Sequence, residues 1–412
     1  MTGGEFIPFN KPEIGEEEIS EVVSVLRSGW LTTGERTKRF EADLCQYTGS
    51  TYGQAVNSCT AGLHLALAAL DIGPGDEVIT TPLTFCATVN VILHQGATPV
   101  LADIGDDFNI SPDSVQHRIT GRTRAIIPVH FAGLPCRMDE IWEMAGRKRI
   151  AVVEDAAHAI GTYYRGQHIG HAAHSLSDAV AYSFYATKNL TTGEGGMVTT
   201  NREDLYQRMR RLTLHGINKD AWNRYAENGN WYYEVVEPGF KYNLSDLQSA
   251  IGIAQLKKLE AMTARRVALA GLYNELLGGR NGLLTPPDGE LARHCWHLYV
   301  LRIDPAALSI TRDEFIRELR AMGIGTSVHF IPVPKHPFFA PWADREENQC
   351  PRAMSLYDQI VSLPLYPGMT EDQVRRVAMS VREIAERSRK RELVAAGPLA
   401  VRGEGEQTCT NG

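Results

Sequence analysis

Between residues 63 and 155 the chain alternates short, continuously apolar, β-branched runs with helical segments, and this alternation limits the fold more than any other feature. Leu63–Leu70 has a helical pattern, Glu77–Thr81 an extended one, Phe85–His94 helical, and Thr98–Ile104 and Arg124–Val129 extended. Met138–Lys148 then reads as helical and Ile150–Asp155 as extended. Strands apolar at every position must be buried on both faces, so helices must cover both sides of the sheet. The expected class is α/β, with a mostly parallel doubly wound sheet, and ligands in such sheets gather at the carboxyl ends of the strands.

Around this unit the sequence predicts helices over 16–28 and, after the loop GWLTT, over the segment ending at Tyr47. Periodicity fails from Gly216 to Gly239, where five aromatics in a long loop point to function rather than disorder. A long helix starts at Ser245. Beyond it Trp296–Ile303 and Gly325–His329 read as extended and Arg312–Met322 and Glu371–Glu386 as helical, which predicts a smaller C-terminal α/β domain. The expected division is therefore 1–245 for the large domain, 246–386 for the small one and 387–412 for a frayed tail.

Charge and cysteine content exclude several functions. Lys and Arg number 42 against 49 Asp and Glu, a net charge of −7, which disfavours nonspecific binding to nucleic acid or anionic membrane. No run reaches the roughly 18 apolar residues of a membrane helix, and no basic flank precedes an apolar stretch at the N-terminus, so a cytoplasmic protein is expected. Seven scattered cysteines without a C-x-x-C pair suggest neither a disulfide framework nor zinc. His168, His171 and His174 recur every third residue, but the neighbouring glycines favour a polar turn over a metal site, so no metal is expected.

Three segments carry chemistry. Asn57–Gly62, N-S-C-T-A-G, runs into the apolar helix LHLALAAL and presents free backbone N–H groups to an anion such as phosphate. Asp155 closes the strand IAVVED at the mouth of the sheet, followed by His158. Lys188 lies five residues beyond Ser183, at the end of another extended run and before Gly193, Gly195 and Gly196, which let the backbone pass close to something bulky. A lysine desolvated there has a lowered pKa and a neutral amine fit for Schiff-base chemistry. Taken singly, each has an ordinary alternative: a helix cap, a strand-ending aspartate, a surface lysine. Together they ask for one ligand with a phosphate, a ring nitrogen and an aldehyde, and pyridoxal 5'-phosphate (PLP) carries all three. Phe85, after the strand EVITT, is placed to stack on its ring, and its spacing fits a plain core phenylalanine equally well.

NSCTAGLHLALAAL, GDEVITTPLTFCATVN, PVHFAGLPCRMDEI, VVEDAAHAIGTYYRG, YSFYATKNLTTGEGGMV and GFKYNLSDLQSAI resemble, in order, the blocks of the DegT/DnrJ/EryC1/StrS nucleotide-sugar aminotransferases. HGINKDA and GIGTSVHF are similar to the members that aminate C4 of the sugar. The resemblance runs from about Phe6 to about Glu386 and implies a fold-type I homodimer with shared active sites, using PLP and, as its amino form, pyridoxamine 5'-phosphate (PMP). It assigns Lys188 to the Schiff base, Asp155 to the ring nitrogen, His158 to the neighbourhood of the ring hydroxyl, and Thr60, Ala61 and Ser183 to the phosphate. Asn243 would reach the cofactor phosphate of the other subunit, while Trp30, Thr32, Thr33 and His329 would line the sugar-nucleotide pocket. Phe85 departs from the Trp of the C4 pentose enzymes, which leaves the sugar open. The implied reaction moves an amino group from an amino acid, glutamate by expectation, to C4 of a dTDP-4-keto-6-deoxyhexose or a UDP-4-keto-pentose. Amination at C3 and a PLP-dependent sugar dehydratase are the alternatives; the dehydratases replace the lysine with histidine, and Lys188 argues against them. A sensor that only binds a nucleotide sugar would not need lysine, aspartate and phosphate helix together.

Overall fold

The apolar runs do pair as strands. The computed structural model describes residues 5–218, 232–280, 282–289, 292–343 and 349–390. Its first strands are β1 (Tyr52–Val56), β2 (Glu77–Thr80), β3 (Thr98–Leu101), β4 (Thr123–Ile127) and β5 (Ala151–Asp155). A short hairpin, β6 (Tyr163–Tyr164) and β7 (Gln167–His168), precedes β8 (Ala179–Ser183) and β9 (Gly196–Thr200). Among the described residues seven of these make one sheet in the order β1-β9-β8-β5-β4-β2-β3. Pairing is parallel from β3 through β8, and β9 alone runs against both its neighbours.

Alternate residues of each strand feed opposite cores, as a side-chain period of two requires. Val78, Ala125, Ile127, Val153, Ala181 and Val198 pack with Leu63 and Leu67 of α3 (Cys59–Ala69) on one face. Ile79, Ile126 and Val152 meet Ile141 and Trp142 of the sixth helix (Met138–Lys148) on the other. Nine of the eleven residues of α3 are buried, so an apolar surface all round is what its place inside the molecule demands.

The first helices, α1 (Glu16–Ser28) and α2 (Glu35–Thr48), lie outside the sheet and pack on α8 (Asp246–Leu277), a 32-residue helix opened by a Ser245/Gln248 capping box. The second half of α8 enters a separate core: Leu269, Ala270, Tyr273 and Leu277 pack with Tyr299 and Leu301, with Val361 and Leu363, and with Phe315 and Val377. Those side chains come from the strands Tyr299–Ile303 and Ile360–Leu363 and the helices Arg312–Ala321 and Glu371–Arg387, the small α/β unit. A division at residue 245 therefore separates the sequence more cleanly than the structure. One helix serves both units, and Ile7, at the other end of the chain, bridges to Ile324 inside the small core.

Three local expectations differ. The helix expected from Phe85 begins at Ala87 (Ala87–His94), which leaves Phe85 outside it. Gly325–His329 forms no strand; only isolated bridges, Ile7–Ile324 and Ser327–Ser362, tie the segment to two different partners. Of the long aromatic loop and the tail, 219–231 and 391–412 lie outside the described residues. The described part of the loop ends on Phe240, which stacks on Tyr242 at 4.8 Å.

Candidate active site

Three chain segments reach one edge of the sheet together: β5 ends at Asp155, β8 ends at Ser183, and β1 leads through Asn57 and Ser58 into α3. They border a cavity of about 500 Å³ lined by Ser58, Thr60, Phe85, Asp155, His158, Ser183, Lys188, His297, His329 and Phe330, among others.

The helix end is prepared for an anion, though not at every donor. Ser58 Oγ accepts the Ala61 N–H at 3.1 Å, so that donor serves the cap while Thr60 lines the cavity. Gly196 is explained by the same helix end. A Cβ there would stand 2.6 Å from Cys59 N and from the Ser58 carbonyl carbon, so the bulky neighbour expected from the sequence is the start of α3 itself.

Asp155 is buried and surrounded by donors. Thr88 Oγ1 donates to Oδ2 at 2.8 Å and Ala157 N–H to Oδ1 at 3.1 Å. Burial pushes its carboxyl pKa up, and the Thr88 and Ala157 hydrogen bonds, with the Lys188 charge, oppose that shift. Burial also lowers Lys188 to about 8, against the pull of Asp155 in the other direction. A free amine with that pKa is partly neutral near physiological pH, the state in which it is a nucleophile and a base.

Three histidines border the same space, all neutral. Burial first, then the Lys188 ammonium, takes His158 well below its ordinary value and His329 to about 3; burial likewise takes His297 down. His158 stacks on Phe330 at 5.6 Å, and His329 Nδ1 is 2.9 Å from Ser362 Oγ in the small unit. Phe85 is 61% exposed with its ring 6.1 Å from Phe330, so a face of it is available to a ligand.

The expected substrate residues do not share one pocket within this chain. Trp30, Thr32, Thr33 and Asn243 line another cavity of about 810 Å³, together with Arg210, Arg211 and Lys241. The GWLTT loop is tied to the start of α8: Trp30 Nε1 donates to Thr33 O at 3.1 Å, Asn243 Nδ2 to Thr33 Oγ1 at 2.7 Å, and Thr33 Oγ1 to Leu244 O at 2.5 Å. His329 is anchored in the small unit instead, so within one chain Trp30, Thr32 and Thr33 border one cavity and His329 the other. Sequence reasoning also missed Thr84, Thr88 and His297. The four-residue spacing of the two threonines in TFCATVN could have flagged them; nothing local distinguishes His297 from a core histidine.

A half-buried lysine, a buried aspartate held among donors and a capped helix end, gathered at the carboxyl edge of a mostly parallel sheet, fit the aldehyde, ring nitrogen and phosphate of PLP. The class is a fold-type I PLP-dependent enzyme. The chain belongs to the DegT/DnrJ/EryC1/StrS aminotransferase family, whose model matches residues 12–382. SpsC of Bacillus subtilis strain 168, a spore coat polysaccharide biosynthesis protein, is 50% identical over 92% of this chain and 97% of its own. Spr1654 of Streptococcus pneumoniae, solved in a PMP form, is 35% identical with a TM-score of 0.86 over 92% of this chain and 99% of that one. It has also been solved in a PLP form. DesV of S. venezuelae, solved with a ketimine intermediate, is 35% identical with a TM-score of 0.85 over 93% and 99% of the two chains. The protein is a sugar aminotransferase that uses PLP and PMP. No described helix is long and apolar enough to cross a membrane.

Proposed function

We propose that this protein transfers the amino group of L-glutamate to C4 of a nucleoside-diphosphate-linked 4-keto sugar, a dTDP-4-keto-6-deoxyhexose or a UDP-4-keto-pentose, in the cytoplasm. The observation that carries the reading is Lys188, lowered to about 8 and sharing one cavity with the buried Asp155. The choice of C4 rests on the similarity of HGINKDA, FKYNLSD and GIGTSVHF to the C4 enzymes.

When bound, PLP supplies an electrophilic aldehyde and a ring that accepts the electrons of a breaking C–H bond. Lys188 Nζ would hold the aldehyde and, as a free amine, would carry the proton between donor carbon and cofactor carbon. The Asp155 carboxylate holds a proton on the ring nitrogen. His158, whose Nδ1 accepts the Ala132 N–H at 3.3 Å, has its proton on Nε2 and donates toward the ring hydroxyl. Thr60 and Ser183 would serve the phosphate, Ala61 would border it with its N–H held by the Ser58 cap, and Phe85 would stack on the ring. Trp30, Thr32, Thr33 and His329 serve the sugar nucleotide.

The active site is shared across a homodimer, with Asn243 reaching the phosphate in the other subunit. What supports this is the separation of the two cavities: Asn243 and the GWLTT loop line one, Lys188 and His329 the other. The test is a panel of UDP- and dTDP-linked 4-keto and 3-keto sugars, each offered with L-glutamate. Faster amination of a 3-keto sugar than of its 4-keto isomer overturns the C4 assignment.

A further inference from the structure

Two imidazoles bordering the Lys188 cavity are held in opposite tautomers. His158 Nδ1 accepts the Ala132 N–H at 3.3 Å, so on the neutral ring the proton is on Nε2. His297 is the reverse. Asn189 Nδ2 donates to the Cys295 carbonyl at 3.1 Å, which fixes the orientation of the amide and leaves Oδ1 for His297 Nδ1, also at 3.1 Å. An amide oxygen only accepts, so Nδ1 carries the proton and Nε2 keeps a lone pair. The two rings are in contact, centroids 4.4 Å apart.

The position of His297 is fixed as firmly as its tautomer. Arg266, buried in α8, sets Nη1 2.8 Å from the Leu365 carbonyl and 3.4 Å from those of Trp296 and His297. Asn189 directly follows Lys188 in the chain, so the group that sets the tautomer is anchored beside the reacting lysine. This much hydrogen bonding around one buried ring goes beyond filling space, because a plain core position needs no defined lone pair.

The substrates differ in what they can offer that nitrogen. Apart from the amine that reacts, glutamate brings carboxylate oxygens, which only accept. The sugar brings hydroxyls, which donate. We propose that His297 is a specificity-determining residue whose Nε2 accepts a hydrogen bond from a hydroxyl of the keto sugar, an inference that rests on the amino-transfer reading above.

The two halves of the reaction separate the claim from a structural role. Glutamate converts the bound PLP to PMP and a keto sugar converts it back, and each is followed through the absorbance of the cofactor. His297→Leu is expected to slow the return with a dTDP-linked 4-keto-6-deoxyhexose or a UDP-linked 4-keto-pentose about 10–100-fold more than it slows the glutamate half, the range for one lost buried acceptor. His297→Gln, whose amide oxygen can accept near the place of Nε2, should recover most of that difference. Asn189→Leu frees the proton to move to Nε2 and should lower the same half by several fold, which carries the test should the leucine variant of His297 not fold. Equal loss in both halves, or a keto-sugar half that is spared, overturns the inference. If the unaltered protein reacts with glutamate and aminates neither 4-keto sugar, the proposed choice of sugar itself fails and the role of His297 falls with it.

Discussion

Thr88→Val removes one hydroxyl from beneath the cofactor site while nearly preserving shape. Thr88 Oγ1 lies 2.8 Å from Asp155 Oδ2 and 2.8 Å from Thr84 Oγ1. A hydroxyl has one proton, and an ionised carboxylate can only accept, so Thr88 gives its proton to Asp155 and accepts that of Thr84. Valine therefore deletes the donor to Oδ2 and leaves the Ala157 N–H on Oδ1. A hydrogen bond to a charged group contributes about 1.5–3 kcal/mol, so the ionised form of Asp155 should be disfavoured about 10–100-fold. The sign is clear: burial already raises this carboxyl, and losing Thr88 removes the largest opposing effect. A neutral acid cannot hold a proton on the ring nitrogen, so the variant should bind PLP more weakly, show an altered pH titration of the bound cofactor's absorbance, and react more slowly with glutamate. Thr88→Ser keeps the hydroxyl and should restore all three. A valine variant with the original PLP affinity, absorbance titration and glutamate rate would refute the relay.

Three further outcomes follow from the same geometry. Lys188→Met removes an amine whose pKa falls from 10.5 to about 8 on burial, so in the cofactor-free protein it should raise stability toward urea by roughly 1–3 kcal/mol below pH 8. The unfolded chain binds the extra proton between those two values, so the gain should fade as pH rises from about 8 to 10.5; a gain that does not change with pH would assign it to packing. Gly196→Ala drives a methyl into the backbone of Ser58 and Cys59 and should cost about 1–3 kcal/mol and weaken PLP binding, read by thermal melting and equilibrium dialysis. Inactive Lys188→Ala mixed with an inactive Asn243→Ala protein should regain activity, with about a quarter of the sites whole if subunits pair at random. Exchange without recovery would count against a shared site.

Much of this was legible locally. Two-sided apolar strands separated by helices leave few arrangements other than a mostly parallel covered sheet, and the sequence reading placed β5 and the helix Met138–Lys148 within a residue of where they lie. Asp155 and Lys188 were legible because a strand's end puts its next residues at the mouth of the sheet whatever else the chain does. The pairings between them were not. Thr88 reaches Asp155 across 67 residues and His297 reaches Asn189 across 108, and no local pattern records which distant side chain completes a hydrogen bond.

The sequence by itself determined the class of sheet and the placing of Lys188, Asp155 and the Ser58 helix end at the mouth of that sheet, because each depends on periodicity and neighbours within a few residues. Tertiary structure alone decided that α8 joins both units, that the GWLTT loop and His329 border different cavities, and that His158 and His297 carry their protons on opposite nitrogens. The physical reason is common to all three. A side chain's partner, and with it the direction of a hydrogen bond and the protonation of a ring, is set by packing between segments that meet only once the chain has closed.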